Sequence, residues 1–300
     1  MKKIRSWALL LACATGIPAS AQQTFTGRIS DSMCGASHRA APSTSLGAGP
    51  STPLGAGPSN STDRQCLLAC IGALAKYVLV DPNDRVLPIA NQDAMGLPLY
   101  AGRPVKITGE WKGDAIFVTR VEAIPAHLHI GHVMTNWRDT PGARGFLPVA
   151  VDEARVAVLH ARLAVNSTSL DDIKLHAGHV LNALDPAVEP AGPGAGYGVR
   201  KAAAGALQHL DFAAKAEGAT INITTEVAQA SSALSNVLQW LDQAVAAAQR
   251  VRAATDIAGA AGAAADLAAL VQRINDEGLQ QALARMAVML KTEGLLGAPR

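Results

Sequence analysis

The sequence predicts an α+β chain of two domains: a small N-terminal β-barrel, then an all-α antiparallel helical bundle with internal repeats. Three observations carry this. Residues 24–124 hold short alternating segments cut by Gly and Asp turns. From Ala126 onward the periodicity is helical, with short connections. Within that half Leu128-His129-Ile130-Gly131-His132-Val133 recurs 47 residues later as Leu175-His176-Ala177-Gly178-His179-Val180. The 300 residues are long enough for both domains.

The chain opens on a targeting pattern. Lys2, Lys3 and Arg5 precede a short apolar run from Trp7 to Ala14, and Ala19-Ser20-Ala21 is a small-x-small cleavage signal. Residues 1–21 are therefore expected to be a signal peptide cleaved after Ala21, leaving a periplasmic or secreted protein. The alternative is a lipoprotein carried on Cys13, for which the preceding apolar stretch is short. The run is too short to span a bilayer, and no later segment reads as membrane-spanning. Removing Lys2, Lys3 and Arg5 from the 26 basic residues leaves 23 against 24 acidic ones. A near-neutral chain without a basic patch among aromatics argues against nucleic acid as a partner.

The first domain, 22–125, is built from predicted strands at Phe25–Ile29, Tyr77–Val80, Val86–Ile89, Val105–Trp111 and Ala115–Val121. In the fourth, Val105, Ile107 and Gly109 face one side while Lys106, Thr108 and Glu110 face the other. One helix is predicted over Cys66–Ala75. The segment 41–63 holds a tandem eight-residue repeat, STSLGAGP followed by STPLGAGP, too rich in Gly, Pro and Ser to build a core. It reads as a flexible insertion.

Helices are expected over Val149–Val165, Leu170–Leu184, Val199–Ala216, Thr225–Ala254, Asp256–Asn275 and Leu279–Leu290, within a second domain covering 126–300. Pro148 suits a first turn, Thr168 or Ser169 an N-cap, and Asp185-Pro186 a stop. A weaker match relates His160 to His209 at an offset of 49, so each repeat carries H-x-G-H-V and, about 30 residues on, a single His. A third copy would put Ile223 and Glu226 at the His positions.

Seven of eight histidines fall between residues 127 and 209. Two at i and i+3 share a helix face, so His176 points with His179, and His129 with His132. His160 and His209 lie on expected inward faces, with Glu153 two turns before His160. Neutral imidazole is the commonest ligand of transition metals near neutral pH, and bundles build such sites from facing helices. We therefore take His129, His132, His160, His176, His179 and His209 as metal ligands in one or more sites. Zinc, copper, nickel or non-covalent haem is the expected cofactor, and Met134, Met286 or Met289 a potential axial ligand. The glycine within each H-x-G-H is expected to let a helix or flat cofactor approach. His127 is expected to be solvated. There is no C-x-x-C-H, H-E-x-x-H or E-x-x-H, which removes covalent haem, zinc proteases and di-iron carboxylate sites.

Cys34, His38, Cys66 and Cys70 form a second group. Three thiols and an imidazole match a tetrahedral zinc or soft copper site. In an oxidising compartment the competing expectation is a disulfide from Cys34 to Cys66 or Cys70, with one thiol left over. Gly192–Gly198, a glycine-rich stretch before a helix, follows no strand and lacks Gly-Lys-Thr, so it is read as a loop.

Asp31-Ser32-Met33-Cys34-Gly35, the later cysteines and Ala101-Gly102-Arg103-Pro104-Val105-Lys106-Ile107-Thr108-Gly109 resemble small exported bacterial β-barrel domains of the OB-fold type. The resemblance covers about a third of the chain and implies fold and export but no activity; the insertion departs from it. Two other functional classes stay open at this stage. One is an interaction module with a protein partner and no cofactor. The other is a metallohydrolase, for which Glu153 is the one nameable general base.

Overall fold

The computed structural model describes residues 22–36 and 63–295. The signal segment, His38 and most of the Gly/Pro-rich insertion lie outside them. The chain is α+β, with an open antiparallel sheet followed by helices.

The sheet is made of β1 (Gln23–Asp31), β2 (Tyr77–Val80), β3 (Val86–Pro88), β4 (Pro104–Lys112) and β5 (Ala115–Ala123), in the order β3-β2-β1-β4-β5. Alternation decides its inner face: Val105 and Ile107 of β4 are fully buried while the alternating Lys106 and Thr108 are not. They join Ile29, Leu79, Ile116 and Val118 in one core, which α1 (Asp63–Gly72) covers with Leu67. The register of β4 against β5 shifts at Thr108/Gly109, where Gly109 lies against the Phe117 carbonyl. A β-carbon there would stand 2.5 Å from that oxygen.

The helices are α2 (Pro125–Met134), α3 (Phe146–Asn166), α4 (Leu170–Leu184), α5 (Val199–Lys215), α6 (Ile221–Ala253), α7 (Ile257–Arg273) and α8 (Gln280–Thr292). Their starts follow local chemistry. Pro125 opens α2, while the side chains of Ser169, Thr220 and Asp256 accept backbone N–H bonds from Asp172, Ile223 and Gly259. The Thr220 cap starts α6 four residues before the expected Thr225. A π-helical turn, Ile274–Leu279, joins α7 to α8, and Gly278 there lies against Val237 of α6.

Alanine sets the packing. Ala150, Ala154, Ala157, Ala161 and Ala164 form a fully buried strip along α3, facing Ala202, Ala203 and Ala206 of α5 and Ala177 of α4 in the same core. Small side chains let these axes approach closely, so dispersion contacts replace the bulk that few aromatics could supply. α2 packs on α5, α3 on α4 and α5, and α6 on α5, α7 and α8. The two parts touch where Lys106 of β4 meets Glu217 at 2.6 Å, and Glu217 in turn accepts the Ala126 N–H of α2 on its carbonyl.

Ile257–Thr292 is long and apolar enough to cross a membrane by length and composition, which the sequence reading did not anticipate. It carries Asp266, Arg273, Asp276 and Glu277, and its Ala260, Ala264, Leu267 and Val271 are buried in the helical core.

Candidate metal centres

The six proposed histidine ligands are brought together as two separate triads. His129 and His132, one turn apart on α2, meet His209 of α5; His176 and His179 on α4 meet His160 of α3. The sequence reading placed each single His in the unit of the preceding H-x-G-H. The structure instead exchanges them. Each H-x-G-H pairs with the single His of the other unit, because α2 packs on α5 and α3 on α4.

The two triads share one geometry. In the first, the Nδ1 atoms of His129 and His132 each lie 3.2 Å from Nδ1 of His209. In the second, Nδ1 of His176 is 3.1 Å and Nδ1 of His179 is 3.2 Å from Nδ1 of His160. The ring from the long helix is central in both. Among the described residues, these nitrogens have no carboxylate or carbonyl partner. A neutral imidazole has one N–H and one in-plane lone pair. The central nitrogen cannot serve both neighbours with linear hydrogen bonds, so protons alone satisfy the triad poorly. A tetrahedral ion with bonds of about 2.0–2.1 Å holds its nitrogens roughly 3.3 Å apart, close to the spacing seen here.

Burial favours the neutral, ligating form of four of these rings. His209 is 7 % exposed, and its imidazole is pushed down to about 4, by burial first and then by the neighbouring His132 and His129. Burial likewise lowers His132, His160 and His179, with a like-charge contribution from their triad neighbours. The environments differ. Around the first triad, Trp137 lies 4.8 Å from both the His132 and His209 rings, Phe146 stacks on His209 at 5.4 Å, and Phe212 is 5.3 Å from His129. Among the described residues, the second triad's rings contact no aromatic ring but one another. This aromatic collar was missed in the sequence. Only the overall scarcity of Phe and Trp could have drawn attention to it.

Several finer expectations are corrected. No neighbouring helix approaches Gly131 or Gly178, since a β-carbon at either would meet nothing within 4 Å. Haem ligated on both faces needs about 4 Å between ligand nitrogens at comparable bond lengths, plus room for the porphyrin; nitrogens 3.1–3.2 Å apart do not fit it. Met286 and Met289 are fully buried in the apolar core and Met134 packs against it. His127 is not solvated: its side chain is 9 % exposed, with Nε2 3.4 Å from Glu293 Oε2. The third repeat carries no triad, and Glu226 instead stands 3.9 Å from Arg285.

Glu153 is also reassigned. It is 2 % exposed and turned away from His160, accepting the N–H groups of Ala195, Tyr197 and Gly198 at 3.0–3.2 Å. The glycine-rich stretch is a loop, as expected, and this loop at the start of α5 does hold an anion, namely the protein's own carboxylate. Gly198 has φ +78°, a left-handed conformation that suits glycine, and a β-carbon on Gly194 would stand 2.6 Å from Glu153 Oε2. The general base required by the metallohydrolase reading is therefore engaged elsewhere.

The cysteines make a third cluster. Cys34, in the turn after β1, and Cys66 and Cys70, one turn apart on α1, bring their sulfurs within 4.8 Å of one another, with Cys34 and Cys70 at 3.9 Å. All three are unbonded thiols. Asp31 Oδ1 fixes the turn by accepting the N–H groups of Met33 and Cys34. The Cys34 thiol is pushed up to about 12, by burial first, then by its hydrogen bond to Cys70 and the charge of Asp31; burial also raises Cys70. Such thiols hold their protons at neutral pH until a cation displaces them. His38 lies outside the described residues.

Comparison of the chain with protein-family models, curated proteins and solved structures returns no match.

Proposed function

We propose that this is an exported transition-metal-binding protein with two three-imidazole centres, His129/His132/His209 and His160/His176/His179. The carrying observation is that in each triad two Nδ1 atoms lie 3.1–3.2 Å from a central Nδ1, close to the spacing of tetrahedral ligands, with all three rings' ligand atoms within 4.8 Å and no other partner among the described residues. Three nitrogen donors with a free fourth position suit zinc or copper, and nickel less well without a planar donor set. The thiol cluster Cys34/Cys66/Cys70 is a softer third site for zinc or Cu(I). With Glu153 bound to its loop, the reading is metal handling rather than hydrolysis.

The finer architecture belongs to the same proposal. An isolated parallel bridge from Ile89 to Ile116, with the Ala90 N–H donating to the Ile116 carbonyl at 2.8 Å, brings the two edges of the sheet together. This supports an OB-like barrel, just as the repeated helix pairs support an antiparallel bundle. Export rests on residues 1–21. A mature chain without a membrane span is supported by the charges and buried face of Ile257–Thr292.

Elemental analysis of purified full-length protein after zinc or copper loading, paired with a visible spectrum, tests the reading. Two tightly held ions per chain, besides any ion on the thiols, are expected. Absence of bound metal after loading and desalting would refute it.

A further inference from the structure

A cavity of about 270 Å³ lies where the sheet part meets α2 and α8. Its walls combine charged and apolar side chains. Arg64, Arg103, His127 and His132 line it together with Leu128, Ile130 and Leu290, and no carboxylate lines it among the described residues. Arg64 spends Nη1 on the carbonyls of Pro98, Leu99 and Ala101, which hold the guanidinium without neutralising it. Arg103 Nε and His127 Nδ1 are buried without a hydrogen-bond partner. The unpaired Arg103 Nε–H, and two guanidinium groups with no carboxylate in these walls, favour an anion.

We propose that this cavity binds a small organic carboxylate, its head on Arg103 and Arg64 and its apolar tail along Leu128, Ile130 and Leu290. The volume sits just under the range of about 300–1,000 Å³ usual for small-molecule pockets, so the ligand is compact. His132 belongs both to the cavity wall and to the first triad. The carboxylate therefore binds beside that centre. Binding itself does not require a metal.

The test is calorimetric titration of the metal-free full-length chain with hexanoate and benzoate, against hexanol, benzyl alcohol and inorganic phosphate as controls. Saturable binding of the carboxylates is expected, weakened at least about tenfold in the alcohols and in Arg103→Gln. Gly131→Leu fills the cavity from a position where a β-carbon meets nothing and should abolish binding. Gly178→Leu makes the same change in the other repeat and should leave it intact. Absence of saturable carboxylate binding to the wild-type chain overturns the proposal, as does equal binding by the alcohols, by phosphate or by the Gly131→Leu protein. Because metal is removed throughout, failure here leaves the two imidazole centres untested rather than refuted.

Discussion

Replacing His209 with Ala should remove one metal centre and leave the other unchanged. His209 is the central ring of its triad, with Nδ1 3.2 Å from both His129 and His132, so two imidazoles on one helix turn would remain. Structural zinc in small peptides contributes about 10–16 kcal/mol over four ligands. One ligand is then worth roughly 3–4 kcal/mol, a weakening of about 10²–10³-fold. The assay is zinc titration against a chromophoric chelator, with Cys34, Cys66 and Cys70 replaced by Ser so that only imidazoles count. Two tight equivalents should fall to one in His209→Ala, to one in His160→Ala, and to none in the double variant. A double-mutant cycle then tests the exchanged pairing. His209→Ala should be strongly non-additive with His132→Ala and additive with His179→Ala. Coupling of His209 to His179, or two tight equivalents surviving in His209→Ala, would refute the assignment.

Three further outcomes follow from the same geometry. The metal-free protein should lose stability as pH falls from about 6.5 toward 4. Within that window the unfolded chain binds protons that folded His209, held down to about 4, refuses, so stability rises with pH by about 3 kcal/mol for this group. Urea midpoints that stay flat across the window would contradict it. Glu153→Gln should cost about 3 kcal/mol in urea unfolding, by removing the charge that accepts three loop N–H groups, and a loss under about 0.5 kcal/mol would mean that another group holds the loop. Alkylation of metal-free protein by iodoacetamide should be slow at Cys34 and Cys70 at pH 8, speed up toward pH 11, and be blocked by zinc; rapid modification of either at neutral pH would show an ionised thiol.

The strands and helices were largely legible because their signals are local. The alternation of β4, the Ser169 cap and the Asp185-Pro186 stop each act within a few residues. The clustering of the histidine pairs was legible for a similar reason, since i and i+3 fix a shared face. Their partners were not legible. Whether His209 meets His129 or His176 depends on which helices dock, and that is set by buried alanines spread across α3, α4 and α5. Glu153 shows the same limit. Periodicity placed it two turns before His160, but it lies on the Ala157/Ala161 strip, and the N–H groups that capture it belong to a loop more than 40 residues away. For the glycines of H-x-G-H, close approach by a neighbouring helix was the part misjudged, since both face open space.

The exchange of histidines between the duplicated helix pairs has a consequence for assembly. Neither half of the duplication holds a complete set of nitrogens on its own: His129 of α2 waits for His209, 80 residues later, and α3 and α4 complete their set across the boundary between copies. A fragment ending before α5 would keep one centre and lose the other. An ion on the first triad would bind only once the outermost pair of the four helices has come together, and would hold that long loop shut.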